Sequence, residues 1–102
     1  MARGSLSVFF AIIGTDGPRG QALRPGLRAA HLARLEALER DGRLVLAGPF
    51  ADGSGSLMVI AADSLDDARS FAEADPYVTG GVFHAIDIRP FVKVLPASPA
   101  SP

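Results

Sequence analysis

The feature that most constrains this chain is a strand-forming run that is apolar on both of its faces. Leu6, Val8, Phe10 and Ile12 form one alternating set, and Ser7, Phe9, Ala11 and Ile13 the other; both are largely hydrophobic. Successive side chains of a strand point to opposite sides of its sheet, so both sides here need cover. Leu57-Met58-Val59-Ile60-Ala61-Ala62 has the same character. A sheet with one solvated face alternates apolar and polar residues instead.

Turn chemistry divides the rest of the chain. A first strand is expected over about 6–14, ended by Gly14-Thr15-Asp16-Gly17-Pro18. Residues 15–26, rich in Gly and Pro, read as a loop long enough to be functional. Residues 27–41, dominated by Ala, Leu, Arg and Glu, predict a helix with Gly42 just past its end. A second strand over 43–50 stops at Gly48-Pro49, and Asp52-Gly53-Ser54-Gly55 connects it to a third over 56–62. Ser64 with Asp66 and Asp67 marks a helix start, and Pro76 is expected to close that helix near residue 74. A fourth strand follows over 82–94. The tail Pro96-Ala97-Ser98-Pro99-Ala100-Ser101-Pro102 is low in complexity and reads as disordered, leaving one domain over 1–95.

The order β-α-β-β-α-β predicts an α+β fold of the split-βαβ, ferredoxin-like kind: an antiparallel sheet with both helices on one face. Two helices cover one face only. The second apolar face is therefore expected to meet a second copy of the chain, as a homodimer related by twofold symmetry.

Composition removes several function classes. With 102 residues and a formal net charge of −1, the chain offers no positive excess for nucleic acid or anionic lipid. The run Leu6 to Ile13 is too short to cross a bilayer. There is no cysteine, hence no disulfide frame, thiolate zinc site or cysteine nucleophile, and two histidines cannot form a three-histidine metal site. A cytoplasmic protein with no metal and no cofactor is expected. RNA binding through the sheet fails on charge and on the lack of aromatic residues across 57–62.

Chemistry is expected at one end of the sheet. Leu27, Leu32, Leu35 and Leu38 form one stripe of the first helix, and Arg28 and His31 fall within it. Leu65, Ala68, Phe71 and Ala72 form the stripe of the second helix, which Asp75 extends inward. Because the helices run antiparallel, His31, Arg28 and Asp75 converge. Gly14, Gly48-Pro49 and Gly80-Gly81 belong to the same end and offer backbone without bulk around a cavity. A carboxylate on one imidazole nitrogen fixes its tautomer and leaves the other nitrogen to exchange a proton with substrate. Arg28 could hold an anionic oxygen, and Tyr77, Gly48 and Gly81 complete the candidate binding set. His84 is a weaker candidate, read as packing or interface. Asp16, Asp52, Asp63, Asp66 and Asp67 read as turn or cap residues. The glycine-rich Gly14 to Gly20 run lacks the Lys-Ser/Thr of a phosphate-binding loop.

Four motifs together, Arg28-x-x-His31, Gly42-Arg43-Leu44-x-x-Ala47-Gly48-Pro49, Ala74-Asp75-Pro76-Tyr77 and Arg89-Pro90-Phe91, resemble the YciI-like (YCII-related) family over about 5–94. The resemblance implies a dimeric α+β barrel of two ferredoxin-like sheets, with an active site built on a histidine and an aspartate that match His31 and Asp75. Arg28 matches the motif's arginine. Similar barrels include isomerase and dehydrochlorinase enzymes that move protons on small cyclic substrates without a metal. The chain departs from many relatives in a short connection between its second and third strands and in His84. Two readings follow. One is a cofactor-independent lyase or isomerase with His31 as base or acid, Asp75 as its orienting partner and Arg28 on substrate. The other is a ligand-sensing or interaction module whose His–Asp pair is structural.

Overall fold

The computed structural model describes residues 8–97 and is built on a four-stranded antiparallel sheet. In chain order the elements are β1 (Val8–Asp16), α1 (Gly20–Arg40), β2 (Leu44–Pro49), β3 (Gly55–Ala62), α2 (Leu65–Glu73), α3 (Pro76–Thr79) and β4 (Phe83–Phe91). The sheet order is β2-β3-β1-β4. This is the α+β, split-βαβ architecture that the order of the elements predicts. The expected tail lies outside the described residues from position 98 onward, as do positions 6 and 7 of the first strand.

The two sets of β1 separate as a strand requires. Phe10 and Ile12 are buried with Met58 and Ile60 of β3, beneath Leu35 and Leu38 of α1 and Ala68 and Ala72 of α2. On the opposite face Phe9, Ala11, Ile13 and Leu57 are only half-buried. There β4 places Phe91, Arg89 and Asp87 beside Phe9, Ala11 and Ile13. Burial of the helix-side set supplies most of the driving force, at about 25 cal/mol per Å² of apolar surface.

Several boundaries differ from expectation, for local reasons. The helix begins at Gly20, not Leu27, so the presumed functional loop is mostly helical and encloses Pro25. Proline there removes the bond to the Gln21 carbonyl. The turn survives because its side chains are anchored: Leu23 and Leu27 pack on the core, and Gln21 and Arg24 bond to β1 and the β2–β3 hairpin. Arg28 does not join the buried stripe of α1 but is exposed, and Leu65 likewise is exposed at the start of α2. Pro76, read as a stop, also opens the short α3 as its first residue, a position where the missing N–H costs nothing. β4 ends at Phe91 rather than 94.

A β-bulge sets what β4 contributes. Its pairing with β1 jumps from Thr15↔Ala85 to Asp16↔Phe83, skipping His84. The extra residue turns Phe83 into the core and leaves His84 exposed. Gly14 makes room for this: a Cβ there would stand 2.5 Å from the Phe83 ring.

Candidate active site

His31 projects from the middle of α1 into the layer between helices and sheet, and is 6% exposed. Its Nδ1 lies 2.8 and 2.9 Å from the two carboxylate oxygens of Asp75, itself 1% exposed. A carboxylate only accepts, so Nδ1 carries the proton and donates it. Asp75 is also the N-cap of α3, its Oδ1 accepting from the Tyr77 backbone N–H at 2.8 Å. One side chain thus starts a helix and orients the imidazole. Among the described residues nothing hydrogen-bonds Nε2 of His31.

The Tyr77 ring stacks on the imidazole, with centroids 3.9 Å apart and planes within 7°. Phe83 meets Tyr77 edge-on at 5.5 Å. The carboxylate, the stack and the Phe83 edge together fix the imidazole plane.

A second polar cluster, not anticipated from sequence, stands beside the first. Arg24 donates from Nε to Oδ2 of Asp16 at 2.9 Å and from Nη2 to Oδ1 at 2.8 Å, a two-point ion pair. Nη2 also donates to Ser56 Oγ at 3.1 Å. The guanidinium carbon lies 5.0 Å from the Tyr77 ring centre and 5.7 Å from that of Phe83. Hydrogen bonding to Asp16 holds the Arg24 pKa above its already high ordinary value, although burial opposes the charge. Gln21 Nε2 ties Asp16 Oδ2, at 3.2 Å, to the Gly53 carbonyl, at 3.1 Å. Asp16, expected as a turn or cap residue, is instead the last residue of β1 and the anchor of Arg24. The signal that could have exposed Arg24 is its spacing: Arg24, Arg28 and His31 sit at i, i+4 and i+7, one face of a helix that a break at Pro25 conceals.

Both clusters border one cavity of about 190 Å³. His31, Tyr77, Arg24 and Ser56 supply its polar wall, while Leu32, Leu35 and Met58 supply apolar surface. Ala47, Gly48 and Pro49 of β2 form the facing rim, and the exposed Arg28 stands at the mouth. Of the residues expected here, His31, Arg28, Tyr77 and Gly48 line the cavity and Asp75 stands behind His31. Gly81 does not: it lies in the left-handed turn before β4, with φ 86°, exposed. His84 is outside as well. Among the described residues no group of three His, Cys, Asp or Glu side chains could hold a metal ion, and no helix is long and apolar enough to cross a membrane.

Residues 8–92 match the YCII-related domain. The chain belongs to the YciI-like family. The protein YciI of Escherichia coli O6:H1 is 36% identical over 97 residues, spanning 85% of this chain and 99% of that one. An uncharacterized Haemophilus influenzae protein is 33% identical with the same coverage. Among solved structures, the YciI-like chain is similar to 5-chloro-2-hydroxyhydroquinone dehydrochlorinase (TftG) from Burkholderia phenoliruptrix AC1100, in complex with 2,5-dihydroxybenzoquinone. That match has a TM-score of 0.76 and 29% identity, over 88% of this chain and 99% of TftG.

Proposed function

We propose that this YciI-like protein is a cofactor-independent small-molecule enzyme of the lyase or isomerase type, with His31 as its proton-transfer residue. The observation that carries this reading is a buried imidazole whose Nδ1 is committed to Asp75 while the ring borders a cavity. That arrangement leaves Nε2 as a base of fixed tautomer and direction. In the first step a substrate C–H bond breaks, its proton moves to Nε2, and its electron pair passes through the adjacent carbonyl to give an enolate oxygen. Return of the proton to another carbon completes an isomerisation; collapse of the enolate to a carbon–carbon double bond, with a leaving group departing on its own bonding pair, completes an elimination. Arg28 at the mouth takes a carboxylate or other oxyanion on the substrate, and Tyr77 and Gly48 shape the wall. The likeness to a dehydrochlorinase over nearly the whole domain supports this class of chemistry.

Self-association belongs to the same proposal. The half-buried Phe9, Ala11, Ile13 and Leu57 on the open sheet face, with Asp87 and Arg89 among them, suit a second copy packed by a twofold axis. Sedimentation at micromolar concentration should give twice the chain mass, and a lone monomer would remove this part.

The test of the enzyme reading is NMR, following the imidazole signals of His31 and His84 separately while 2,5-dihydroxybenzoquinone is added. Saturable shifts at His31 and around Asp75, with His84 still, are expected. A ligand that moves neither histidine while the protein stays folded would favour a structural His–Asp pair, whose second task is already visible in the cap of α3.

A further inference from the structure

We propose that Arg24 and Ser56, with Arg24 held by Asp16, form an oxygen-binding subsite beside His31, and that the substrate is a single-ring compound whose oxygen gains negative charge there. The inference rests on the reading of His31 as the proton-transfer residue, and deepens it by naming the group that takes the resulting charge.

The guanidinium has five N–H donors in a fixed plane. Three are engaged, two by Asp16 and one by Ser56. The two on Nη1 are engaged by neither, and the Tyr77 side chain interacts with the same guanidinium. Arg24 itself lines the cavity. Ser56 is 3% exposed and lines the same cavity. Its oxygen already accepts from Arg24, which leaves its own O–H to donate. The wall therefore presents donors, and its complement is an acceptor oxygen.

Charge narrows the class. Asp16 cancels the formal charge of Arg24, so the subsite as a whole is neutral but strongly polar. It suits an oxygen that acquires charge during reaction, an enolate or phenolate, rather than a permanent dianion such as phosphate. Donors fixed in advance where charge develops cost no reorganisation when the proton leaves. Arg28, which has no ion-pair partner among the described residues, remains at the mouth for a permanent anionic substituent. A cavity of about 190 Å³ is below the usual drug-sized range. It fits one ring, and Leu32, Leu35 and Met58 give that ring apolar surface.

Calorimetric titration with 2,5-dihydroxybenzoquinone tests the subsite on the intact chain and on two variants. Arg24→Lys keeps a cation for Asp16 but loses the planar fork, and should weaken binding about 10- to 100-fold. Ser56→Ala removes one donor and should weaken it about 3- to 10-fold. In both, the ligand-induced NMR shift at His31 should persist at saturation. If folded variants bind within twofold of the intact chain, the subsite is overturned while the His31 reading stands; if the intact chain shows no saturable binding, both fall. Should Arg24→Lys not fold, Ser56→Ala decides alone.

Discussion

The two ends of the layer between helices and sheet use the same residue types in opposite ways. At the cavity end Arg24 meets a buried carboxylate, and His31 meets another. At the far end Arg34 lies over the Phe71 ring at 4.2 Å and donates to the Phe71 carbonyl at 2.9 Å, with no carboxylate partner among the described residues. Arg43 similarly donates to the Ala61 carbonyl at 3.2 Å. The far end also has a concavity of about 270 Å³, bordered by Leu38, Arg43, Asp67 and Phe71. Its charged groups are mostly exposed and can return to water when a contact is lost. Those at the cavity end cannot, since each broken bond leaves a buried partner unsatisfied. Interlocked buried polar groups are a poor route to stability and a good route to fixed geometry. The contrast singles out the cavity end as the place where geometry matters.

The largest expected effect comes from breaking that interlock at its most buried member. Asp75→Ala removes the partner of Nδ1 and the cap of α3 together, and should cost roughly 3 kcal/mol in chemical denaturation. Asp75→Asn keeps an oxygen for both donors and should cost only about 1 kcal/mol, while removing the carboxylate that orients His31. Equal costs for the two variants, or a cost for Asp75→Ala no larger than that of a surface cap, would dissolve the distinction between the ends.

Much of this contrast is legible in the sequence, and the part that is not has a physical reason. His31 and Asp75 were visible because each interrupts an apolar stripe at helical spacing. Gly48 followed from its position at the same end, and Tyr77 from the Ala74-Asp75-Pro76-Tyr77 motif. Arg24 and Asp16 were hidden by Pro25-Gly26 and Gly17-Pro18, local signals for loop that tertiary anchoring overrides. Pro76 misled in the other direction, since the same residue that ends one helix suits the first position of the next. Gly81 was placed at the site by strand direction alone, while His84, read as packing or interface, lies outside it. The bulge that skips His84 goes with Phe83 lying across Gly14, a contact between residues far apart in sequence.

At the far end the same logic predicts smaller losses. Ser64 caps α2 by accepting from the Asp67 N–H at 3.1 Å, and Ser64→Ala should cost about 1 kcal/mol. Arg34→Ala gives up a partly exposed ring contact and one bond to a carbonyl that water can replace. It should cost about 0.5–1 kcal/mol. Neither variant should move the His31 imidazole signals. A shift there would mean that the two ends are coupled through α1, and the comparison would need to be redrawn.

The smallest effect belongs to the exposed rim of the cavity end, at the β2–β3 hairpin whose Gly53 carbonyl holds Gln21. Asp52 accepts from the Ser54 N–H at 2.9 Å, and hydrogen bonding from the Ser54 side chain, then from this N–H, holds its pKa below the ordinary carboxylate range. The folded chain therefore favours the ionised form more than the unfolded chain does. Its contribution is complete above the ordinary carboxylate range and is lost as pH falls through the depressed folded value. The Asp52 carboxyl signal in an NMR titration should move at a lower pH in the folded protein than in a short peptide of residues 50–56. A midpoint equal to the peptide's would show that the turn is not held in this form. The rim would then be held by its backbone hydrogen bonds and Gln21 alone, and the rigidity ascribed to the cavity end would stop at its buried groups.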